Sequence, residues 1–471
     1  MKKLLTATAR TAALAATLTL AIPAAPLAAQ DQHEISRYDR ALAAGYKALM
    51  LCGAIANAER AGAQRSPESV IEWELTGIQD PQSRVVADLP YKIIRSPGST
   101  NVAPQIVQVE VEYAPDTTPR IAVHNSQQGC SILPIMGGPP PAPTLRASAE
   151  KVDDWQTDRQ DGLLGDLAGG AFNGTYGQGS RTTAIVVVRH SKLAGEQYAP
   201  GFGPSVPQRT WSVAKSIAAT LIGAAFYRGE VILTPPTDSS GPAIVPAWDT
   251  VGDPRRAITL DHLLRMASGR YSDTPGNRTD PVYWGGATVD ERAATWPLIY
   301  RPGAVYRYAN NDTLMAVKAI QPSFKAHPPS EFFARLGMNN TVAERDWTGN
   351  YVLSSQVWST ARDLGRLGQL YLKDGVWNGE RLLPEGFVTY VSSPLGPQPE
   401  GSPFGYGAGF WLMNRSEGVP PDTFAAFGNR GQYVVIVPSR DVVIVRRGED
   451  PVGARFDIAA FTRDILAAIP E

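Results

Sequence analysis

The sequence predicts an α+β fold in which an antiparallel sheet is flanked by helices and accompanied by a helical lobe. Three runs rich in β-branched residues indicate buried strands, at residues 183–189, 433–438 and 442–446. The last two are separated by Ser439-Arg440-Asp441, a length typical of a hairpin connection. A final helix is predicted over 456–469, and a long, mainly helical middle separates the first strand from the hairpin. We therefore expect the helical lobe to pack beside the sheet.

The chain begins with residues 1–29, which carry positive charges, then an apolar stretch over 11–22, then small residues over 23–29. This order is typical of an export signal, with cleavage expected after Ala29. A membrane-spanning helix is the weaker interpretation, because two prolines interrupt a stretch already shorter than the ~20 residues that a span needs. No other run predicts a membrane anchor. We expect a periplasmic or secreted mature protein.

Residues 30–143 predict a small N-terminal region of mixed α/β structure. A helical pattern extends over 36–63. Extended segments follow it at residues 84–89, 106–113 and 120–123. The Gly- and Pro-rich segment 137–143 cannot continue either type of element and is interpreted as a linker. The main domain is accordingly expected over 144–471, and no catalytic constellation is found before it.

Cys52 and Cys130 are the two cysteines of the chain. In an oxidising compartment an even pair without metal-ligand spacing is interpreted first as a disulfide, here one that staples the N-terminal region. Closing a loop of this length stabilises by roughly 4–5 kcal/mol in the chain-entropy model. Two buried free thiols are the alternative.

Composition places the chain among globular proteins with a small-molecule partner. The 471 residues, 43% of them apolar, suffice for a main domain and a smaller one. Lys and Arg number 44 against 45 Asp and Glu, a formal charge of -1 without long like-charge runs. Nothing in this balance predicts a nucleic acid or an anionic membrane as partner. No pattern indicates a metal, a cofactor or a particular oligomeric state.

Ser212 and Lys215 form a Ser-x-x-Lys pair at the start of an apolar helical run. Residues three apart share a helix face, so the Lys215 amine can reach the Ser212 hydroxyl. An amine acts as a base only when partly neutral, and burial in apolar surroundings favours the neutral form of lysine. Residues 217–226 are apolar almost all round, which predicts that burial. The alternative is a surface serine and lysine without chemistry.

Two further motifs follow along the chain. Tyr308-Ala309-Asn310 pairs a phenol able to relay a proton with an amide able to donate and accept hydrogen bonds. The segment 427–433, Phe-Gly-Asn-Arg-Gly-Gln-Tyr, leads into the predicted hairpin, and its Gly431 permits close backbone approach to a ligand. Taken alone, the first motif is more often a turn, and a glycine at this place is otherwise a bulge.

The order Ser-x-x-Lys, Tyr-x-Asn and a glycine motif entering a strand resembles the serine β-lactamase and penicillin-binding protein superfamily. The likeness is to its class C-like branch of esterases and 6-aminohexanoate-dimer (nylon oligomer) hydrolases. It extends between the motifs, through residues 195–202, 258–269 and 361–368, and covers roughly 151–471. The resemblance implies a β-lactamase/transpeptidase-like fold, with the N-terminal region as an extension found in some members.

The resemblance also implies roles for individual residues. Ser212 would be the nucleophile, Lys215 its activating base, and Tyr308 the acid/base that passes a proton to the leaving group. Asn310 would orient the carbonyl or amide of the substrate. The backbone N–H groups of Ser212 and of Gln432, just after Gly431, would form the oxyanion hole.

One departure bears on the substrate. Penicillin-recognising members carry Lys-Thr-Gly or His-Thr-Gly where this chain reads Asn429-Arg430-Gly431. An ester or non-standard amide is therefore the expected substrate. The alternative is a β-lactam or a D-Ala-D-Ala peptide, and the protein would then be a β-lactamase or a D,D-peptidase. Arg430 either supplies the missing charge or is a solvated turn residue. A non-catalytic receptor or sensor of the same fold is the remaining alternative. Trp284 and Trp411 either line the pocket or belong to the core.

Overall fold

The computed structural model describes residues 34–98, 103–137, 155, 165–233, 243–272 and 279–469. Residues from Arg37 onward form one compact unit. The predicted export signal and all but Gly137 of the predicted linker lie outside the described residues, so both stay predictions.

Helices account for much of the described chain. The α-helices are α1 (Arg37–Arg60), α2 (Pro67–Trp73), α3 (Gly165–Phe172), α4 (Val213–Tyr227), α5 (Leu260–Leu264), α6 (Asp280–Tyr283), α7 (Val289–Arg292), α8 (Asn310–Ala319), α9 (Pro329–Arg335), α10 (Ala361–Leu372), α11 (Phe387–Ser392) and α12 (Ile458–Ala468). The predicted first and last helices are confirmed as α1 and α12.

The strands form four sheets within the described residues. They are β1 (Tyr91–Arg95), β2 (Ile106–Val111), β3 (Arg120–Asn125), β4 (Gly129–Ile132), β5 (Thr182–Arg189), β6 (Lys192–Tyr198), β7 (Gln208–Arg209), β8 (Val342–Ala343), β9 (Val357–Ser359), β10 (Val376–Trp377), β11 (Glu380–Arg381), β12 (Gly405–Tyr406), β13 (Trp411–Leu412), β14 (Phe424–Gly428), β15 (Gln432–Val437) and β16 (Val442–Gly448). The three predicted β-branched strands are confirmed as β5, β15 and β16.

The main sheet has seven antiparallel strands in the order β12-β13-β14-β15-β16-β5-β6. Both of its faces are buried, each against a separate hydrophobic core, and successive residues of a strand point to opposite faces. Ile185 and Val187 join the core beneath α3 and α12, whereas Val186 and Val188 join the larger core that contains α4 and α10. The predicted antiparallel sheet between helices is confirmed.

A smaller sheet, β1-β2-β3-β4, forms an antiparallel meander in the N-terminal region. Helix α1 packs on it, and the predicted disulfide joins Cys52 of α1 to Cys130 of β4. By length and composition alone α1 could span a membrane, contrary to the expectation that no run beyond the export signal would do so. However, 94% of its apolar stretch is buried inside the protein, as in a core helix.

The prediction of an extended segment over 84–89 is wrong. These residues form turns, in which the amide of Val86 donates to the carbonyl of Gln82. The buried Lys47 of α1 donates from Nζ to the carbonyls of Ala87 and Leu89, at 2.6 and 2.8 Å. A buried ammonium needs such acceptors, and this tertiary requirement overrides the strand propensity of the segment.

Candidate active site

Ser212 occupies the N-cap position of α4, half-buried at the start of the 15-residue helix. The preceding residue, Trp211, has a φ of 50°, a left-handed conformation that a bulky side chain rarely adopts. This turn presents the hydroxyl at the helix N-terminus, where the helix dipole favours negative charge. The amides of the next three residues donate to the carbonyls of Thr210, Trp211 and Ser212. Among the described residues, no backbone carbonyl accepts a hydrogen bond from the Ser212 amide.

Lys215 lies one turn into α4 with only 2% of its surface exposed. Its Nζ is 3.1 Å from Ser212 Oγ, which confirms the predicted contact. It also donates to Asn310 Oδ1 at 2.6 Å and to the carbonyl oxygen of Ser354 at 2.9 Å. Asn310 and Ser354 reach it from α8 and from the segment before β9, so three parts of the chain converge on this amine.

These three hydrogen-bond partners of Lys215 differ in whether they can donate a hydrogen bond to the amine or only accept one from it. The oxygens of Asn310 and Ser354 only accept hydrogen bonds, whereas the Ser212 hydroxyl can both donate and accept. In the neutral amine, the two acceptors hold both N–H groups and leave the lone pair for the hydroxyl proton. In the charged form, all three N–H groups have partners. The arrangement can therefore take a proton from Ser212 without rearrangement.

Asn310 is the first residue of α8, and both ends of its side-chain amide are engaged. Its Oδ1 accepts from Lys215, and its Nδ2 donates to Thr279 Oγ1 at 2.9 Å. Thr279 thereby accepts from the end of the amide that does not contact the lysine. The sequence predicts substrate orientation as the role of Asn310, and the structure adds a contact with Lys215.

Tyr308 lies beside the amine, with its ring centroid 5.0 Å from Lys215 Nζ. Trp411 of β13 stacks on the phenol ring, at 5.6 Å between ring centroids, and Tyr406 meets that ring edge-on at 6.2 Å. The half-buried Trp411 thus borders the site. Trp284, in contrast, is 2% exposed and belongs to the core. Of the two interpretations given for these tryptophans, a place at the pocket therefore fits Trp411 and a place in the core fits Trp284.

The third motif forms the turn between β14 and β15, and its glycines contact different neighbours. A Cβ on Gly428 would lie 2.5 Å from the carbonyl oxygen of Thr210, two residues before Ser212. Gly431, at a φ of 77°, would instead meet the Arg446 guanidinium at 1.7 Å. The close approach to the nucleophile segment is therefore made by Gly428.

Gln432 is fully buried and pairs with Gly428 in the antiparallel ladder. Its side-chain Oε1 accepts from Arg447 Nε at 2.6 Å, and its Nε2 donates to the carbonyl of Gly448. The structure brings Ser212, Lys215, Tyr308 and Asn310 together. No side-chain hydrogen bond joins Gly431 or Gln432 to that group within the described part of the chain.

The interpretation of Arg430 as a solvated turn residue is wrong. The side chain is 6% exposed, and its Nε lies 2.5 Å from Glu449 Oε2. Its Nη2 donates to the carbonyls of Trp73 and Thr76, each at 2.8 Å. Arg430 therefore fastens the N-terminal region to the end of β16 and pairs its charge with Glu449. The alternative that it supplies a charge to the substrate stays a prediction.

A pocket of about 310 Å³ adjoins Trp211, directly before the predicted nucleophile. One wall is Asn429 with the rest of the β14–β15 turn, and another is Gly77-Ile78-Gln79 of the N-terminal region. Sequence reasoning assigned no site residue to that region. Gly77-Ile78-Gln79 contains no motif that could have predicted its place beside the site. The same is true of Ser354, which takes part through its backbone carbonyl. Within the described ranges, no cluster of His, Cys, Asp and Glu could hold a metal ion.

Comparisons with solved structures support the fold class. A Bacillus anthracis protein provisionally named a 6-aminohexanoate-dimer hydrolase has a TM-score of 0.52 at 21% identity, covering 68% of this chain and 84% of its own. A Bacteroides dorei protein provisionally named a β-lactamase has a TM-score of 0.50 at 19% identity, covering 65% and 97%. The β-lactamase/transpeptidase-like fold is therefore confirmed.

Sequence comparison identifies the family. The model of the Beta-lactamase family matches residues 161–468, well over half of the chain. The chain belongs to the Beta-lactamase family. The 6-aminohexanoate-dimer hydrolase of Paenarthrobacter ureafaciens is 24% identical over 303 residues, which cover 57% of this chain and 73% of that relative. The predicted resemblance is confirmed.

Proposed function

We propose that this protein is an exported serine hydrolase of the class C-like branch that cleaves carboxylic esters or amides through an acyl-enzyme on Ser212. The observation that carries the proposal is the contact of Lys215 Nζ with Ser212 Oγ at 3.1 Å, together with hydrogen bonds from the same amine to the acceptor oxygens of Asn310 and Ser354. An amine held in this way can serve as the general base that a serine nucleophile requires.

In the acylation step, Ser212 Oγ attacks the carbonyl carbon of the substrate and Lys215 Nζ takes the hydroxyl proton. The C–O or C–N bond of the tetrahedral intermediate then breaks, and the leaving group receives a proton through the Tyr308 hydroxyl. Water attacks the acyl-enzyme in the second half of the reaction. The bond to Oγ breaks, a carboxylic acid is released, and the proton returns to Ser212.

The negative charge of the intermediate develops at the start of α4. The Ser212 amide is one proposed donor to it, supported by its position at the helix N-terminus. A second backbone donor is proposed from the β14–β15 turn, where the resemblance assigns Gln432. The approach of Gly428 to Thr210 supports this turn as a neighbour of the intermediate.

Esters and non-standard amides are the favoured substrates. Asn429 replaces the cation of Lys-Thr-Gly, and the Arg430 guanidinium is held by Glu449, which weakens recognition of a β-lactam carboxylate. The name of the Paenarthrobacter relative is consistent with amide hydrolysis. β-Lactamase or D,D-peptidase activity is the second candidate, which the family supports. The contacts of Lys215 weigh against a non-catalytic receptor.

The test is turnover of p-nitrophenyl acetate, butyrate and octanoate, of 6-aminohexanoate dimer and of nitrocefin by the mature protein. Ser212→Ala is the matched control, because it removes only the hydroxyl. We expect ester or amide turnover that disappears in the variant, with nitrocefin intact. Nitrocefin cleavage would favour the β-lactamase candidate, and a folded protein inactive toward the whole panel would contradict the hydrolase proposal.

A further inference from the structure

We propose that the N-terminal region takes part in catalysis through Tyr46 of α1, a positioning residue for Ser212 and Lys215. This inference rests on the proposed function. It extends that function to a part of the chain outside the matched residues 161–468.

Tyr46 packs against the residue that precedes the nucleophile. Its ring stacks on Trp211 with 6.4 Å between centroids and 29° between planes. The tyrosine is itself fixed: it is 3% exposed, meets Trp284 edge-on at 5.1 Å, and donates from its hydroxyl to the carbonyl of Glu74 at 3.2 Å. Because Trp211 has the unfavourable left-handed φ of 50°, this backbone persists only where packing enforces it. Tyr46 supplies part of that packing.

Arg209 connects Trp211 with the segment whose carbonyl accepts from Lys215, the proposed base. Its guanidinium carbon lies 4.1 Å from the centre of the Trp211 ring, a distance at which a cation is attracted to indole. Its Nη2 donates to Ser355 Oγ at 2.7 Å. The adjacent carbonyl of Ser354 accepts from Lys215 Nζ at 2.9 Å. One buried cluster, Tyr46, Trp211 and Arg209, therefore connects α1 with the backbone of Ser212 and with an acceptor of Lys215.

Several contacts hold α1 in the position from which Tyr46 reaches Trp211. The disulfide joins Cys52 to β4, and the Cys130 amide donates to Glu344 Oε1 at 2.9 Å. Glu344 directly follows β8, which pairs with β9 close after Ser355. The helix is thus tied both to its own sheet and to the segment that holds the base.

The test compares variants of α1 by the rate at which a fluorophosphonate labels the folded protein. Tyr46→Met fills much of the space but removes the stacked ring, and Tyr46→Phe keeps the ring and removes only the hydroxyl. Ile55→Ala is the control for lost core packing, because Ile55 is 2% exposed and lies about 13 Å further along the same helix. Rates are divided by the folded fraction from near-UV circular dichroism, so partial unfolding of a variant does not decide the result.

We expect Tyr46→Met to slow labelling and kcat about tenfold or more, since small displacements of reacting groups have large kinetic effects, with KM nearly unchanged. Tyr46→Phe should restore a rate near that of the wild type, and Ile55→Ala should lower Tm without slowing labelling. A wild-type rate in Tyr46→Met, or equal slowing in Ile55→Ala, would overturn the inference while leaving the proposed function intact. Absence of labelling in the wild type would overturn both.

Discussion

Replacing Asn310 by aspartate tests whether Lys215 must be neutral to act. The change keeps the size of the side chain and adds a negative charge at the oxygen 2.6 Å from Lys215 Nζ. Thr279, which now accepts from the amide at 2.9 Å, can donate its hydroxyl to the carboxylate instead. We therefore expect the variant to fold and the charged form of the amine to be favoured.

The magnitude follows from the distance. Unit charges 2.6 Å apart attract by roughly 6 kcal/mol at an effective dielectric of about 20. Asn310 is half-buried, so we take about half of this, about 3 kcal/mol, which corresponds to roughly 10²-fold in favour of the protonated amine. On the acid limb of the profile kcat/KM should fall by that factor, and the limb should move up by about 2 pH units.

The assay is kcat/KM for p-nitrophenyl butyrate between about pH 6 and about pH 9. Asn310→Ala is the control, because it removes the acceptor without adding charge and should lower the rate without moving the limb. Substrate orientation by Asn310 would appear in KM for both variants. A wild-type acid limb in folded Asn310→Asp would refute the assignment of Lys215 as the base.

Three further predictions concern the support of the site and the stability of the fold. Trp411→Leu removes the ring that stacks on Tyr308 at 5.6 Å, worth about 0.5–1.5 kcal/mol, and should slow acylation by roughly 2- to 10-fold in stopped-flow assays; an unchanged rate would mean that other contacts hold the phenol. Burial raises the pKa of Glu344 to about 8, so the folded state binds this proton more tightly than the unfolded chain and loses stability as pH rises from about 4.5 to about 8, by up to about 1.4 kcal/mol per unit. Glu344→Gln should reduce this slope in urea titrations at several pH values, and equal slopes in both proteins would contradict the assignment. Combining Cys52→Ser with Cys130→Ser should lower the free energy of unfolding by roughly 4–5 kcal/mol in the chain-entropy model, and an unchanged transition midpoint would contradict it.

The contact of Ser212 with Lys215 could be predicted from the sequence because both its causes are local. Helical spacing places the residues on one face, and the apolar run after them predicts the burial of the amine. Asn310 was found as a candidate from its motif, and the resemblance gave it a role, but its contact with Lys215 could not be predicted because it joins distant parts of the chain. The carbonyl of Ser354 could not be predicted, because every residue has one and its identity leaves no trace in the sequence.

The errors arose where distant contacts decide the conformation. Residues 84–89 have strand-like composition but turn because Lys47 takes two of their carbonyls. Arg430 was interpreted from its turn alone, whereas its partner Glu449 and the acceptors Trp73 and Thr76 come from other segments. The part of α1 in the site escaped prediction for the same reason, since Tyr46 meets Trp211 only in the folded protein.

The most direct test of the central claim is to trap the acyl group and locate it. Mature wild-type protein and Ser212→Ala are mixed with p-nitrophenyl octanoate, quenched in acid within the burst phase, and digested for mass spectrometry. We predict one octanoyl group on the peptide that contains Ser212, formed as fast as the burst of p-nitrophenol and absent from the variant. An acyl group on another residue, or a burst that persists in Ser212→Ala, would contradict the assignment of Ser212 as the nucleophile.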